Sequence, residues 1–454
     1  MAAEMQRTLT DWQQETVLEL LRIPSVDSEG QQEIIRYIRN RIERKGITLH
    51  ELETGGCPTL VAELGCPIEQ ARCSVLLHSH IDTVYGTETE ERNQSSTLFP
   101  SRKDRGKWTD PWPDRYTPRI EGDDLLGSGA YDMKAGVMLA MDIGRYFPPP
   151  PGMHVDIAFL PDEERCSGGQ QRLAEWILEQ RRGYHVCLSP EVEPRTAVDR
   201  DMRQRIVVGR RGALKVGGDI RITEGAQGHS AVGSPNAIRC LGQLDRFLSS
   251  TEHMREHVIL GREEAIDTAV SADGREEASP PSRGEFAYTV LLVPGKEDPE
   301  APFGVAGAIN QEILRQRRLL QRTFTAIGWQ RNQVQLRLWK DDEHTSYLPF
   351  FTDPSHPVIE RTKSVAREVA HPDNDPLIVG GSSNADSNLF HGFFREHYGD
   401  LGLREPTVVF DLPYRGSGAH SMYERASISS VATVRDILWR LLGDAFPAHF
   451  CAKE

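Results

Sequence analysis

Apolar residues near the start of the chain recur at helical spacing. Leu9, Trp12, Val17, Leu20 and Leu21 share one face of residues 9–22, and Ile23-Pro24-Ser25 closes that helix. Ile34, Ile35, Ile38 and Ile42 form the stripe of a second helix expected over about 31–45, with Gly46 as its stop. The pattern then changes to short unbroken apolar runs at 59–64, 74–77, 154–160, 184–188 and 407–412. Runs of that length read as buried strands, and they alternate with helical stretches at about 133–144, at 170–179 and from about 429. The order predicts an α/β fold with a mixed, largely parallel sheet flanked by helices.

The middle of the chain reads differently. Residues 204–208 and 213–223 alternate as strands do, and 225–238 form a turn leading into a helix that runs to about 248. Residues 286–293, 306–327 and 333–339 read as strand, helix and strand. This pattern predicts a smaller α+β, ferredoxin-like unit at 209–343, inserted into a larger unit made of 1–208 and 344–454. Two polar stretches are expected to lack regular structure: 88–119, with four prolines and two tryptophans, and 251–284, with Ser279-Pro280-Pro281-Ser282.

Composition narrows the class. A chain of 454 residues exceeds one ordinary core, and 38% hydrophobic with 26% charged residues suits a soluble globular protein. The net charge of −14 disfavours nucleic acid and anionic membrane surfaces as partners. No apolar run reaches the ~20 residues of a membrane span, and the first residues lack the basic and apolar regions of a signal peptide. Seven scattered cysteines without a CxxC pair argue for a reducing compartment, so the expected location is cytoplasmic.

The chemistry gathers where the apolar runs end. His80 and Asp82 lie in HSHIDTV, residues 78–84. In an extended segment His-x-Asp points both side chains to one face, and a metal-binding histidine commonly donates its other ring N–H to a carboxylate. Asp132 sits in a Gly/Ala-rich turn before a helix, and Glu163 and Glu164 end a strand in PDEE, residues 161–164. Adjacent acids repel one another unless a dication neutralises them. Glu191 follows the run ending at Leu188, and His420 lies in GSGAHSMYE, residues 416–424. Taken singly, each has a plainer explanation: a surface histidine, a helix cap, a solvated turn. Together they lie at strand ends, where α/β sheets collect ligands. Two histidines, His80 and His420, with the carboxylates of Asp132, Glu164 and Glu191 suit borderline dications such as zinc, at two positions sharing one bridging carboxylate.

These segments resemble the co-catalytic zinc hydrolase family that includes acetylornithine deacetylase, succinyl-diaminopimelate desuccinylase, aminoacylase, glutamate carboxypeptidase and related dipeptidases. The matching pieces are IPSV at 23–26, HSHIDTV at 78–84, GSGAYDMKAG at 127–136, PDEE at 161–164, SPEVEP at 189–194, GHS with NAI at 228–238, and GAHSMYE at 418–424. They follow the family's order and span nearly the whole chain. The resemblance implies two divalent metals, zinc foremost with cobalt or manganese as alternatives. It makes His80 a ligand of one metal, His420 of the other, Asp132 the bridge, and Glu164 and Glu191 further ligands. Glu193-Pro194 offers a second register for the last ligand; Glu191 is preferred because it is nearer the strand end. Asp82 would orient His80, and Glu163 would be the general base. The 209–343 unit would be a lid and dimerisation domain. Its His229 would stabilise the oxyanion across a homodimer, and Asn236 would contact substrate.

The implied substrate is a small amide such as an N-acyl amino acid, or alternatively a dipeptide cleaved by exopeptidase action. Two departures bear on it. An arginine in a lid strand of many relatives is replaced by Leu291, and one after a late Ser-Asp turn by Asn388. Both would grip a substrate carboxylate; Arg337 and Arg415 are the candidates to substitute. A catalytically silent binding protein would be expected to have lost ligands or base, and this chain keeps them.

Overall fold

The computed structural model describes residues 8–84, 117–164, 167–193, 203–222, 283–292, 317–318, 321–322, 334–340, 347–370, 375–381, 385–419 and 424–451. The chain divides into two compact units, Met1–Arg210 with Phe350–Glu454, and Arg211–Pro349. The first unit begins with helices α1 (Asp11–Arg22) and α2 (Ser28–Ile42) and strands β1 (Ile47–Leu52), β2 (Thr59–Gly65) and β3 (Cys73–His80). There follow β4 (Arg119–Glu121), β5 (Asp124–Leu126), α3 (Lys134–Tyr146), β6 (Met153–Leu160), α4 (Gly168–Glu179), β7 (Val186–Ser189) and β8 (Arg205–Arg210). The second unit contains β9 (Gly212–Ile222), β10 (Arg283–Leu292) and β11 (Val334–Lys340). The chain returns through β12 (Phe350–Phe351), α5 (Pro357–Ala370), β13 (Leu377–Gly381), α6 (Asp386–His397) and β14 (Val408–Asp411). It ends with β15 (Gly416–Ser417), β16 (Arg425–Ser427), α7 (Ile428–Arg440) and α8 (Phe446–Cys451).

Local chemistry sets the helix starts. The Thr10 hydroxyl accepts the Gln13 N–H while the Gln13 side chain accepts the Thr10 N–H, a capping box that opens α1. Asp27 caps α2 by accepting the Gly30 N–H.

The main sheet runs β1-β2-β6-β3-β7-β14-β8-β12, with β13 also paired to β8. Its centre, β6-β3-β7-β14, is parallel. Strands β1 and β2 are antiparallel at one side, and β8 runs antiparallel to β14 and β12 at the other. Every residue of β3 and β6 is buried. Successive residues serve opposite faces. Val75 and Leu77 pack with Val17, Ile34 and Val137, whereas Leu76 packs with Trp176 and Phe390. A strand covered by helices on both faces shows no alternation in its sequence. Strand β3 runs on past the apolar run to His80, because its parallel ladder with β6 continues through the pair His80–Leu160.

A separate four-stranded sheet, β15-β16-β5-β4, joins the segment before Asp132 to the segment after His420 in sequence. Among the described residues the second unit is a three-stranded antiparallel sheet with β9 in the middle. The helix expected to end near 248 lies outside the described residues. Of the helix expected over 306–327, residues 317–318 and 321–322 are described and are helical. No helix among the described residues is long and apolar enough to cross a membrane.

One face of the sheet carries a buried ionic cluster. Arg182 Nε donates to Asp156 Oδ2 at 2.9 Å, and Arg182 Nη2 to Asp156 Oδ1 at 3.2 Å and Glu63 Oε2 at 3.0 Å. The Tyr184 hydroxyl also donates to Asp156, and the guanidinium lies over the Trp176 ring at 4.7 Å. Burial alone would raise the Asp156 pKa, but His154, Arg182 and Tyr184 outweigh it and hold it below the usual carboxylate value. His154 is lowered by burial and raised more by Asp156, for a net increase. A depressed acid stabilises above its unfolded pKa, and a raised histidine stabilises below its own. The cluster therefore contributes most between about pH 4 and 6.5, and less on either side. Asp156→Asn leaves the buried guanidinium with Glu63 as its carboxylate partner and is expected to cost about 3 kcal/mol. Denaturant titrations of wild type and variant across pH check this. A stability difference that does not change with pH would refute the assignment.

Candidate metal centre

The parallel register brings the functional side chains to one edge of the sheet. His80 pairs with Leu160, Leu77 with Leu188, and Ser189 with Asp411. The Ile81 N–H donates to Leu160 O at 2.9 Å, so the chain beyond β3 runs beside the chain beyond β6. Asp82 ties the two together. Its Oδ1 accepts the Glu163 N–H at 3.1 Å and its Oδ2 accepts the Glu164 N–H at 3.0 Å. Gly169 lets α4 close on this segment, since a Cβ there would stand 2.3 Å from Pro161 Cδ.

His80 is 1% exposed. Its Nδ1 lies 3.2 Å from Asp82 O and 3.5 Å from Asp82 Oδ1. Its Nε2 lies 3.0 Å from Asp132 Oδ1 and 3.7 Å from Glu191 Oε2. An imidazole whose Nδ1 faces Asp82 presents Nε2 to the carboxylates, as a metal ligand would. His80, Asp132 and Glu164 each offer a ligand atom, all within 4.8 Å of one another.

The electrostatics fit a cation site. Burial first raises Glu163 well above the usual carboxylate value; His80 opposes this, and Glu164, Asp386 and Glu191 add to it. Burial also pushes Glu191 up to about 8 and Asp386 up to about 7, again against the pull of His80. Burial tends to lower the His80 pKa, but Glu191, Asp132 and Asp82 outweigh it and hold it well above its ordinary value. Anionic groups gathered in a dry site repel one another, and a dication there would relieve all of them. Oxygen donors with one imidazole suit zinc, cobalt or manganese.

Arg210, 1% exposed, supports the Glu191 segment from beneath. Its Nε donates to Asp411 Oδ2 at 2.6 Å and its Nη2 to Val192 O at 2.8 Å, and its Nη1 lies 3.9 Å from Glu193 Oε2. The segment thus turns Glu191 toward His80 and Glu193 toward Arg210.

Six of the residues singled out from sequence, His80, Asp82, Asp132, Glu163, Glu164 and Glu191, converge here. His420, His229 and Asn236 lie outside the described residues. Arg337 is exposed on β11 of the second unit. Arg415 Nη2 donates to Ser429 Oγ at 3.5 Å, beside Asp123. Sequence reasoning passed over Asp386, Arg210 and Glu424. Glu424 stood inside the GAHSMYE segment and Asp386 two residues before Asn388; Arg210 carries no local sign, since a buried arginine reads in sequence like a surface one.

The sequence profile of peptidase family M20/M25/M40 matches residues 76–444. The chain belongs to peptidase family M20/M25/M40. As a member it is a metallopeptidase or amidohydrolase by class. It is 34% identical over 146 residues to a succinyl-diaminopimelate desuccinylase of Dinoroseobacter shibae, a match covering 31% of this chain and 36% of that protein. The chain thus matches about a third of the length of that curated relative, 36%. In fold this M20/M25/M40 chain is similar to a tripeptidase of Staphylococcus aureus, with TM-score 0.62 and 14% identity over 97% of this chain and 99% of that one. It is likewise similar to a dinuclear metal-binding peptidase of Bacillus subtilis, with TM-score 0.56 and 13% identity over 95% and 98%.

Proposed function

We propose that this family member hydrolyses an amide bond of a small substrate, such as an N-acyl amino acid, at two divalent metals, zinc foremost. The observation that carries the reading is the convergence of His80, Asp132 and Glu164 within 4.8 Å, with Glu191 Oε2 3.7 Å from His80. His80 would hold one metal and His420 the other, with Asp132 as the bridge and Glu164 and Glu191 as further ligands. When bound, the metals supply Lewis-acid activation of the carbonyl and of a water. Glu163 adjoins a ligand, and its backbone is held by Asp82. Its side chain takes the water's proton and delivers it to the leaving amine. His229 is assigned the oxyanion donor. Seven scattered cysteines without a CxxC pair fit a cytoplasmic setting.

Exopeptidase action on a dipeptide is the second reading. It is supported by the fold likeness to a tripeptidase and to human carnosine dipeptidase 1, the latter at TM-score 0.59 and 14% identity over 97% of this chain and 96% of that one. Metal analysis followed by a panel of N-acyl amino acids and dipeptides separates the readings. Metal binding without turnover of any amide would favour a silent binding protein.

The inserted segment, residues 209–343, is proposed as a lid that forms a homodimer, with His229 acting in the partner's site. The test mixes His229→Ala with Glu163→Gln. Acting in trans, each heterodimer holds one intact site, and activity returns on subunit exchange. Acting in cis, no site is complete. A fully active monomer would reject the proposal.

A further inference from the structure

We infer that Glu424 is a positioning residue for the metal centre, holding the turn that presents Asp132; this rests on the dimetal reading above. Glu424 is 5% exposed. Its Oε2 accepts the Gly129 N–H at 2.6 Å, and its Oε1 accepts the N–H of Tyr131 at 2.9 Å and of Asp132 at 2.6 Å. A buried carboxylate is costly unless its oxygens are satisfied. Here three backbone donors from one turn satisfy it, and the last of them belongs to the bridging candidate itself.

The fold brings Glu424 there from a distant stretch of chain. Strand β16 pairs with β5 in the register Arg425–Leu126, and the Gly127 N–H donates to Glu424 O at 3.3 Å. The residue just before β16 is thereby docked against the turn just after β5. Glu424 is not the cap of α3 in the usual sense, because its donors precede the helix and the N-cap Met133 has no side-chain cap bond. The rest of the turn is held independently. Gly129 O accepts the Lys134 N–H at 2.7 Å, and Tyr131 O accepts the Tyr414 hydroxyl. Gly129 has φ +82, and a Cβ there would meet Thr83 Cγ2 at 2.8 Å, so the turn as folded calls for glycine at this position. With its N–H groups bound from one side, the turn presents the Asp132 carboxylate to His80 Nε2 at 3.0 Å.

Groups that orient a ligand without binding the metal typically set its affinity by 10–100-fold. Glu424→Gln keeps the volume but replaces one acceptor oxygen by an NH₂ group, so at least one of the three N–H donors faces another donor. The test is titration of metal-free full-length protein with Co²⁺, read by bound equivalents and by the visible cobalt spectrum, with thermal unfolding of the metal-free forms alongside. Wild type is expected to bind two equivalents. Glu424→Gln is expected to bind at least one of them on the order of 10–100-fold more weakly, with an altered spectrum. Glu424→Asp, which keeps both carboxyl oxygens, should recover part of the loss. It also serves as the test where the glutamine variant does not fold. Cobalt loading and spectrum unchanged in a folded variant, with only the unfolding temperature lowered, would make Glu424 merely structural and overturn the inference alone. Wild type that takes up no cobalt would overturn the dimetal reading, and this inference with it.

Discussion

Glu163→Gln is expected to keep its metal and its fold while kcat falls by on the order of a hundredfold or more. Glutamine matches the volume of glutamate but cannot accept a proton at neutral pH. The segment has backbone support of its own beside that side chain. The backbone N–H of Glu163 and of Glu164 are held by Asp82 at 3.1 and 3.0 Å, and Pro161 packs closely on Gly169. The substitution should therefore act on proton transfer rather than on architecture. Burial and the neighbouring acids already hold Glu163 well above the usual carboxylate value, the direction that suits a proton shuttle near neutral pH. The measurement is turnover together with metal content and circular dichroism. Near-normal turnover in a folded, metal-loaded variant would move the base elsewhere.

Removal of metal is expected to abolish activity and lower the unfolding temperature, with both restored by Zn²⁺. Without a cation, burial holds Glu163, Glu191 and Asp386 at raised pKa, so folding must accept buried acids with poor compensation. A metal present at about a thousand times its Kd would add about 4 kcal/mol to the folded state. His80→Ala removes the imidazole whose Nε2 stands 3.0 Å from Asp132 and 3.7 Å from Glu191. That variant, like His420→Ala, should lose at least one equivalent by elemental analysis. Full metal content in both would show that the ligand set is wrong.

Much of this was open to a reading of the chain alone, for a physical reason. The apolar runs at 74–77 and 154–160 mark strands covered on both faces, and their burial confirms it. The His-x-Asp spacing of residues 80 and 82 places a histidine and its orienting acid together whatever the rest of the fold does. The stripes of α1 and α2 announce their buried faces in the same way. Such signals are local: they depend on residues a few positions apart, and short-range geometry is nearly constant across folds.

What tertiary structure decided involves partners far apart in sequence. In sequence Glu191 is preferred to Glu193 only by its nearness to the strand end. In the fold Glu191 Oε2 lies 3.7 Å from His80 Nε2, while Glu193 Oε2 lies 3.9 Å from Arg210 Nη1. Asp386 opens α6, and packing of distant segments buries it among the acids of the centre. Glu424 stands 295 residues from Gly129, and no spacing rule connects them. They meet because β16 adds to β5 in one register, and a strand register is a property of the folded sheet rather than of either segment. The candidate ligands were proposed from the chain, whereas the groups packed around them became visible only where distant segments meet.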